Sequence, residues 1–117
     1  MADLSPEAKA RAVRTIDVAA VFAEHAEVIV AMLPDVPDDH VLVALVDTEH
    51  EFTGTHHVEK ASLVERVPEL EGDGWAMVFS PGASVADVRR RTGELADIAR
   101  ARIAAIDRIL SRRAGPA

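Results

Sequence analysis

The chain has 117 residues, with 20 Asp and Glu against 13 Lys and Arg, a formal net charge of −7 and no cysteine. This length is typical of a single domain with its own core, and we expect one domain over residues 1–117. The lack of cysteine excludes disulfides, thiolate catalysis and zinc–thiolate sites. We find no basic-then-apolar leader and no apolar run long enough to span a bilayer, so we expect a cytoplasmic protein with no membrane partner.

Charge is unevenly distributed along the chain. Residues 1–80 carry five Lys and Arg and sixteen Asp and Glu, a balance of −11, whereas residues 81–117 carry eight Arg and four acids, a balance of +4. Nucleic-acid binding needs a basic surface, so the acidic body argues against that partner. The arginines near the C-terminal end leave room for a local anionic partner.

The first predicted element is a long helix. The segment Ser5–Glu7 combines a capping serine, a proline suited to the first helical position and an acid suited to the positive helix end. The helix is expected to run to about Leu33, because Pro34 stops it. Its apolar surface is so wide that we expect the sheet to cover one side and another element the other. Residues 28–32 could alternatively form a strand.

A β-hairpin is predicted over residues 40–59. Both faces of the first strand, Val41–Val46, are apolar, which indicates that it is covered on both sides. A four-residue turn at Thr48–Glu51 leads to a second strand, Phe52–Glu59. This register predicts four cross-strand pairs: Asp47 with Phe52, Val43 with His56, Leu42 with His57, and His40 with Glu59.

The chain has five histidines, at positions 25, 40, 50, 56 and 57, and acids lie near those of the hairpin, which suggests a zinc site. Zinc needs three or four convergent ligands. Adjacent strand residues point to opposite faces, so His56 and His57 cannot bind the same ion. The remaining candidate group on one face is His40, His57 and Glu59. The alternative is that these are ordinary polar residues of a strand and a loop, with no metal bound.

A short helix and a third strand follow the hairpin. The helix is expected over residues 61–67, with Ser62 as its cap and Pro68 as its end. Its inward-facing side chains are expected to be Leu63, Val64 and Val67. After an acidic turn, Trp75–Phe79 is predicted to be the third strand.

The last predicted element is a helix from the capping residue Ser84 to about Arg113, with Asp87 completing a weak capping box. Its length of roughly 45 Å exceeds what a three-stranded sheet can cover, so its C-terminal turns must pack elsewhere. Two solutions remain open: a continuous helix whose apolar stripe forms a homodimer, or a kink at Gly93 that folds the helix back. The residues predicted for the interface are Leu95, Ile98, Ile103, Ile106, Ile109 and Leu110.

Arg89, Arg90 and Arg91 form the one basic cluster and are candidate contacts for an anion. Consecutive helical residues fan around the axis, so the alternative is a solvated helix surface with Arg90 and Glu94 as an i,i+4 pair. The preceding turn, 80–84, lacks the glycine patterns of phosphate-binding loops.

The element order and the Ser-Pro-Gly after an apolar strand resemble JAB/MPN metal-dependent isopeptidase domains. Those domains carry His-x-His-Pro where this chain has 78–81, Val-Phe-Ser-Pro, so such a relative would be catalytically dead. The helix–three strands–helix order is also similar to double-stranded-RNA-binding domains and small nucleoid-associated dimers. No motif of these families matches, and the acidic body argues against RNA.

The sequence therefore predicts an α+β fold: a long N-terminal helix, a three-stranded mainly antiparallel sheet with a short helix before the third strand, and a long C-terminal helix. No catalytic or cofactor motif is present, which favours a binding or adaptor domain over an enzyme, acting as a homodimer or through a protein partner. The alternative is a small metal-binding protein or hydrolase that uses the His40, His57 and Glu59 group.

Overall fold

The computed structural model describes residues 6–114, with side chains described for residues 6–112. The predicted α+β fold is confirmed, with four helices and three strands in this part of the chain. The cap expected at Ser5 lies outside the described residues. The elements are α1 (Pro6–Glu24), α2 (Ala26–Met32), β1 (His40–Val46), β2 (Phe52–Glu59), α3 (Leu63–Glu71), β3 (Trp75–Phe79) and α4 (Val85–Ala114), with single 3-10 turns at Leu33–Asp35 and Lys60–Ser62.

The sheet has the order β2-β1-β3, and both pairings are antiparallel. The continuous apolar strand β1 lies in the middle, as a strand with two apolar faces should. One face, with Leu42, Ala44 and Val46, packs against α1, α2 and the start of α4. The other face, with Val43 and Leu45, is covered by α3. The prediction that β1 is covered on both sides is confirmed.

The predicted hairpin register is confirmed over most of its length. His40 lies opposite Glu59, and the pairs Leu42–His57 and Val43–His56 are also present. His56 and His57 therefore point to opposite faces of the sheet, as alternation along a strand requires.

The register is wrong at the turn, where Phe52 pairs with Val46 and not with Asp47. The Asp47 carboxylate accepts the backbone N–H groups of Glu49 (2.9 Å) and Glu51 (3.0 Å), which draws Asp47 into the turn. As a result, β2 has one extra residue, which forms a bulge beside Gly54. The φ of Gly54 is 127°, which is unfavourable for residues other than glycine. Side-chain capping inside the turn thus competes with the simplest strand pairing.

The expected single N-terminal helix is interrupted at His25, which separates α1 from α2. The ring of His25 stacks on Phe52 of β2, with 4.4 Å between ring centroids, and its Nδ1 lies 2.8 Å from the carbonyl oxygen of Val21. These two contacts fix the position of the His25 ring against β2 at the point where the helix is interrupted. Residues 28–32 lie in α2, so the alternative of a strand there is wrong.

Helix α3 continues through Pro68 to Glu71, so the predicted end at Pro68 is wrong. The carbonyl that Pro68 leaves without a donor belongs to Val64, whose side chain is 90% exposed, so water can solvate that oxygen. The inward orientation predicted for Val64 is also wrong. The side chains that pack on the sheet follow an i, i+4, i+7 stripe: Leu63, Val67 and Leu70. Ser62 precedes the helix but makes no side-chain capping bond.

Helix α4 is continuous through Gly93 from Val85 to Ala114 and lies along α1. Beyond the sheet its C-terminal half is held by that neighbour: Ile106 is completely buried and Lys9 Nζ lies 2.6 Å from Asp107 Oδ1. The fold-back at Gly93 is therefore not adopted. The packing of the two helices makes the described residues elongated, 60 × 28 × 23 Å. Neither α4 nor any other described helix is long and apolar enough to cross a membrane.

Candidate interaction surfaces

The predicted metal group lies at one end of the hairpin. His40, His57 and Glu59 line a shallow depression of about 310 Å³ together with Ser62 and Arg66. Their ligating atoms do not converge. Within residues 6–112, three ligating atoms lie within 4.8 Å of one another only in a different group, in the hairpin turn. The three predicted residues thus lie near one another, but they are not arranged around a single point. Zinc requires such an arrangement.

The convergent trio is Asp47, Glu49 and Glu51, in the hairpin turn. The turn itself explains why these acids are close, because the Asp47 carboxylate accepts the backbone N–H groups of the other two residues. Glu49 and Glu51 are exposed to solvent. The cluster is therefore accounted for by local turn chemistry.

The arginine cluster does not form one anion-binding face. Arg91 turns toward the sheet, donates to the carbonyl oxygen of Val78 and lies 4.8 Å from the ring centroid of Phe79. Arg90 lies on the exposed surface, where it pairs with Asp87 at 3.5 Å and with Glu94 at 4.0 Å. The predicted Arg90–Glu94 pair is confirmed.

Arg89 lies on the opposite flank of α4, where it and Arg100 line a groove between α1 and α4. That groove is about 470 Å³ in volume and is lined largely by small side chains. The three arginines thus have three different environments, as consecutive residues around a helix axis should.

The N-terminus of α4 is occupied by its own side chains. Ser84 Oγ accepts the Asp87 backbone N–H at 3.1 Å, and Asp87 Oδ2 accepts the Ser84 backbone N–H at 2.9 Å. This reciprocal pair confirms the predicted capping box. The hydrogen bonds from the Ser84 backbone and hydroxyl, with a smaller contribution from Arg90, hold the pKa of Asp87 below its ordinary value.

The apolar stripe predicted as an interface divides between the interior and the surface. Ile106 is completely buried against the rest of the chain, and Ile98 is 67% exposed. The other four predicted residues are half-buried: Leu95, Ile103, Ile109 and Leu110. The packing of α1 on one face of α4 therefore removes Ile106 from any further contact and leaves Ile98 accessible.

Ile98 lies in a regular row of positions on α4. Leu95, Ile98, Ala105 and Ile109 follow 3- and 4-residue spacings, with Arg102 in the middle of the row. This spacing places them on one side of the helix, and we call this row the α4 seam. A seam of this kind is the surface through which helices pack in coiled coils.

Two arginines lie against the outer edge of β3. Arg11 of α1 donates to the carbonyl oxygens of Gly74 at 2.9 Å and Asp73 at 3.4 Å, and its guanidinium lies 4.4 Å from the Trp75 ring centroid. Arg91 of α4 donates to Val78 farther along the same strand. Arg14 of α1 also lies 5.6 Å from the Trp75 ring centroid. Both helices thus contribute cations to this edge.

The sequence reasoning missed Arg11 although a signal was present. Arg11 and Thr15 interrupt the apolar side of α1 at an i,i+4 spacing, and a polar pair in that position indicates polar partners inside the fold. Thr15 Oγ1 accepts the indole N–H of Trp75 at 3.0 Å and donates to the carbonyl oxygen of Arg11 at 2.8 Å. The pair therefore fixes the only tryptophan of the chain.

Comparison with known proteins yields no relative: no protein-family model, curated protein or solved structure matches this chain. Function must therefore be argued from the surfaces themselves.

Proposed function

We propose that this chain is a cytoplasmic binding domain that forms a two-fold homodimer through the α4 seam. The observation that carries the proposal is the 67% exposure of Ile98 in the middle of α4. It is flanked along the seam by the half-buried Leu95, Ala105 and Ile109. A second copy of the same row would remove this apolar surface from water, and two-fold pairing is the commonest way to do so.

The charges beside the seam support an antiparallel arrangement of the two α4 helices. Glu94 and Asp97 are exposed near its N-terminal end, and Arg108 and Arg112 are exposed near its C-terminal end. A two-fold axis close to Arg102 places the acids of one copy beside the arginines of the other, and it brings the two like-charged Arg102 side chains close together. It also places Leu95 opposite the partner's Ile109. Such complementarity sets the orientation of the pair more than its strength.

The expected strength comes from the apolar side chains. A large aliphatic side chain contributes about 1.5–3 kcal/mol when it moves from full exposure to full burial. Each copy contributes one mostly exposed isoleucine and smaller areas from three partly buried neighbours. Association costs on the order of 4–15 kcal/mol in lost freedom, so we expect a dimer of moderate affinity.

The sequence carries no catalytic motif, which favours this function over an enzyme. The trio of acids that does converge, Asp47, Glu49 and Glu51, is explained by the hairpin turn. The alternative of a metal-binding protein or hydrolase would use His40 and His57, and their ligating atoms do not converge with that of Glu59.

The proposal is tested by light scattering at micromolar concentration on the native chain and on Ile98→Glu. We expect a native mass of twice the chain mass, and a monomer for Ile98→Glu, with affinity weakened at least about 30-fold because the change is present in both copies. The matched control is Val64→Glu on α3, which alters an aliphatic residue that is 90% exposed and lies outside the seam. A native monomer, or equal effects of the two substitutions, would contradict the proposal.

A further inference from the structure

The hydrogen bonds of the hairpin determine which backbone groups of the outer strands point away from β1, toward the two edges of the sheet. Lys60 donates its backbone N–H to the Asp39 carbonyl at 2.8 Å, next to the pair formed by His40 and Glu59. Pairs that exchange hydrogen bonds alternate with pairs that do not along an antiparallel ladder. The odd-numbered residues of β1 therefore bond to β2, and its even-numbered residues bond to β3.

This alternation makes the two outer edges of the sheet comparable. On β3 the outward groups belong to residues 74, 76 and 78, and the arginine bonds to Gly74 and Val78 agree with that assignment. On β2 the outward groups belong to Thr55, His57 and Glu59. Within residues 6–112 no hydrogen bond reaches the backbone groups of these three residues from outside β2. We call these outward groups the β2 edge.

The β2 edge is open to an incoming strand. His57 and Glu59 are exposed and Thr55 is half-buried, so the backbone between them is accessible. Each of the three residues offers one N–H donor and one carbonyl acceptor in the spacing that an extended chain requires. The bulge before Gly54 ends the regular ladder, so the edge accommodates a short segment.

Charge indicates which extended segment fits this edge. Residues 38–59 contain six Asp and Glu and no Lys or Arg, with acids at the turn and at the opposite end of the hairpin. A second copy would bring like charges together, which is unfavourable. The cations beside the strand are Lys60, directly after it, and Arg66, whose guanidinium is 2.9 Å from the carboxylate of Glu69. A segment that carries lysine or arginine near the turn is therefore complementary.

We infer that the β2 edge binds an extended, lysine- or arginine-bearing segment of another protein by strand addition. In this mode the backbone groups of the partner pair with the edge, and the side chains of the partner provide selectivity. The inference goes beyond homodimer formation, because the β2 edge and the α4 seam lie on different elements.

The test uses a synthetic nine-residue peptide of alternating lysine and threonine, with blocked ends, added to the native chain. We expect the amides of Thr55 and His57 to exchange with solvent at least about tenfold more slowly when the peptide is bound, since they become hydrogen-bonded. A peptide with glutamate in place of lysine is the charge control and should give no protection.

His57→Pro removes one outward N–H but no hydrogen bond to β1. Proline is tolerated at such an outward-facing position of an edge strand. The variant should keep the native amide spectrum and weaken peptide binding at least about tenfold, whereas His57→Ala, which keeps the N–H, should bind as the native chain does. If His57→Pro fails to fold, protection of Glu59 together with Thr55 in the native chain carries the test.

The inference would be overturned by no protection at millimolar lysine peptide, by equal protection with the glutamate peptide, or by native binding of a folded His57→Pro. Protection of the same amides that rises with protein concentration alone would assign the edge to a second copy and would also overturn it.

Discussion

The two edges of the sheet carry similar backbone groups but have different surroundings. Along β3, arginines from two helices donate to outward carbonyl oxygens and lie over the rings of Trp75 and Phe79. Along β2, the corresponding backbone groups have no such partner in the described part of the chain. Unprotected edges invite pairing with other chains, and charged side chains placed across an edge prevent it.

Protection of a sheet edge can come from residues far away in the sequence. Arg11 lies 63 residues before the carbonyl of Gly74 that it binds. The helices are needed to cover the apolar face of the sheet, and the same helices supply the cations for β3. Among residues 6–112 no arginine or lysine donates to the outward carbonyl oxygens of β2, and that edge is the one to which we assign a partner.

The largest expected effect contrasts the central strand with the open edge. Val43 and His56 are directly opposite each other on one face, but Val43 is fully buried and His56 is exposed. Val43→Asp should destabilise the fold by at least about 4 kcal/mol, because it buries an unpaired charge, while His56→Asp should have little effect. Denaturant melts of both variants measure this, and similar losses would contradict the burial of Val43 and the exposure of His56.

The next effect concerns the start of β3. A Cβ at Gly74 would collide with the Val46 carbonyl oxygen and would lie 3.1 Å from the Asp47 Cα, both backbone atoms that cannot move aside. Gly74→Ala should therefore lower the free energy of unfolding by about 1–3 kcal/mol. Gly82→Ala is the control, since nothing lies within 4 Å of its Cβ. Equal midpoints in urea would show that the close approach is not real.

A smaller effect is expected from the cation on the β3 edge. Arg91→Met keeps an unbranched side chain over Phe79 but removes the donor to Val78, and we expect a loss of about 1–2 kcal/mol. The neighbouring Arg90→Met breaks only exposed ion pairs with Asp87 and Glu94, so its effect should be near zero. Thermal unfolding of the two variants measures this difference. Equal midpoints would contradict the role of Arg91.

The smallest effect concerns the cap that begins the helix carrying Arg91. Ser84→Ala removes the hydroxyl that accepts the Asp87 N–H and should lower the free energy of unfolding by about 1 kcal/mol.

The pKa of Asp87 is lowered in the folded state from its ordinary value of 3.8. Its contribution to stability is therefore present above that value and is lost as the pH falls through the lower folded pKa.

The stability difference between the native chain and Asp87→Asn should therefore be constant near neutral pH and shrink below about pH 4. Urea melts across this pH range measure it. A difference that grows on acidification would contradict the capping role of Asp87.

The sequence predicted the features that depend on short-range pattern. The alternation of apolar residues located β1 and its two covered faces, and the spacing of Ser84 and Asp87 located the capping box. The cross-strand pairs from His40 to Val43 followed from the simplest turn. These predictions succeeded because period and capping chemistry act within a few residues.

The predictions that failed depend on tertiary contacts. The break at His25 coincides with the stacking of its ring on Phe52, 27 residues later, and the exposure of Val64 follows from which side of α3 faces the sheet. The burial of Ile106 depends on α1, whose path alongside α4 no local pattern specifies. The convergence of Arg11 and Arg91 on β3 is likewise a property of the assembled fold.

Disulfide cross-linking tests most directly whether α4 forms an antiparallel two-fold interface, because the chain contains no cysteine of its own. A single Arg102→Cys variant places its thiol close to the proposed axis, whereas Val64→Cys on α3 places one on a surface outside the seam. Under mild oxidation at micromolar concentration we predict that Arg102→Cys forms a covalent dimer rapidly and Val64→Cys does not. Equal cross-linking of the two variants, or none by Arg102→Cys, would contradict the antiparallel α4 interface.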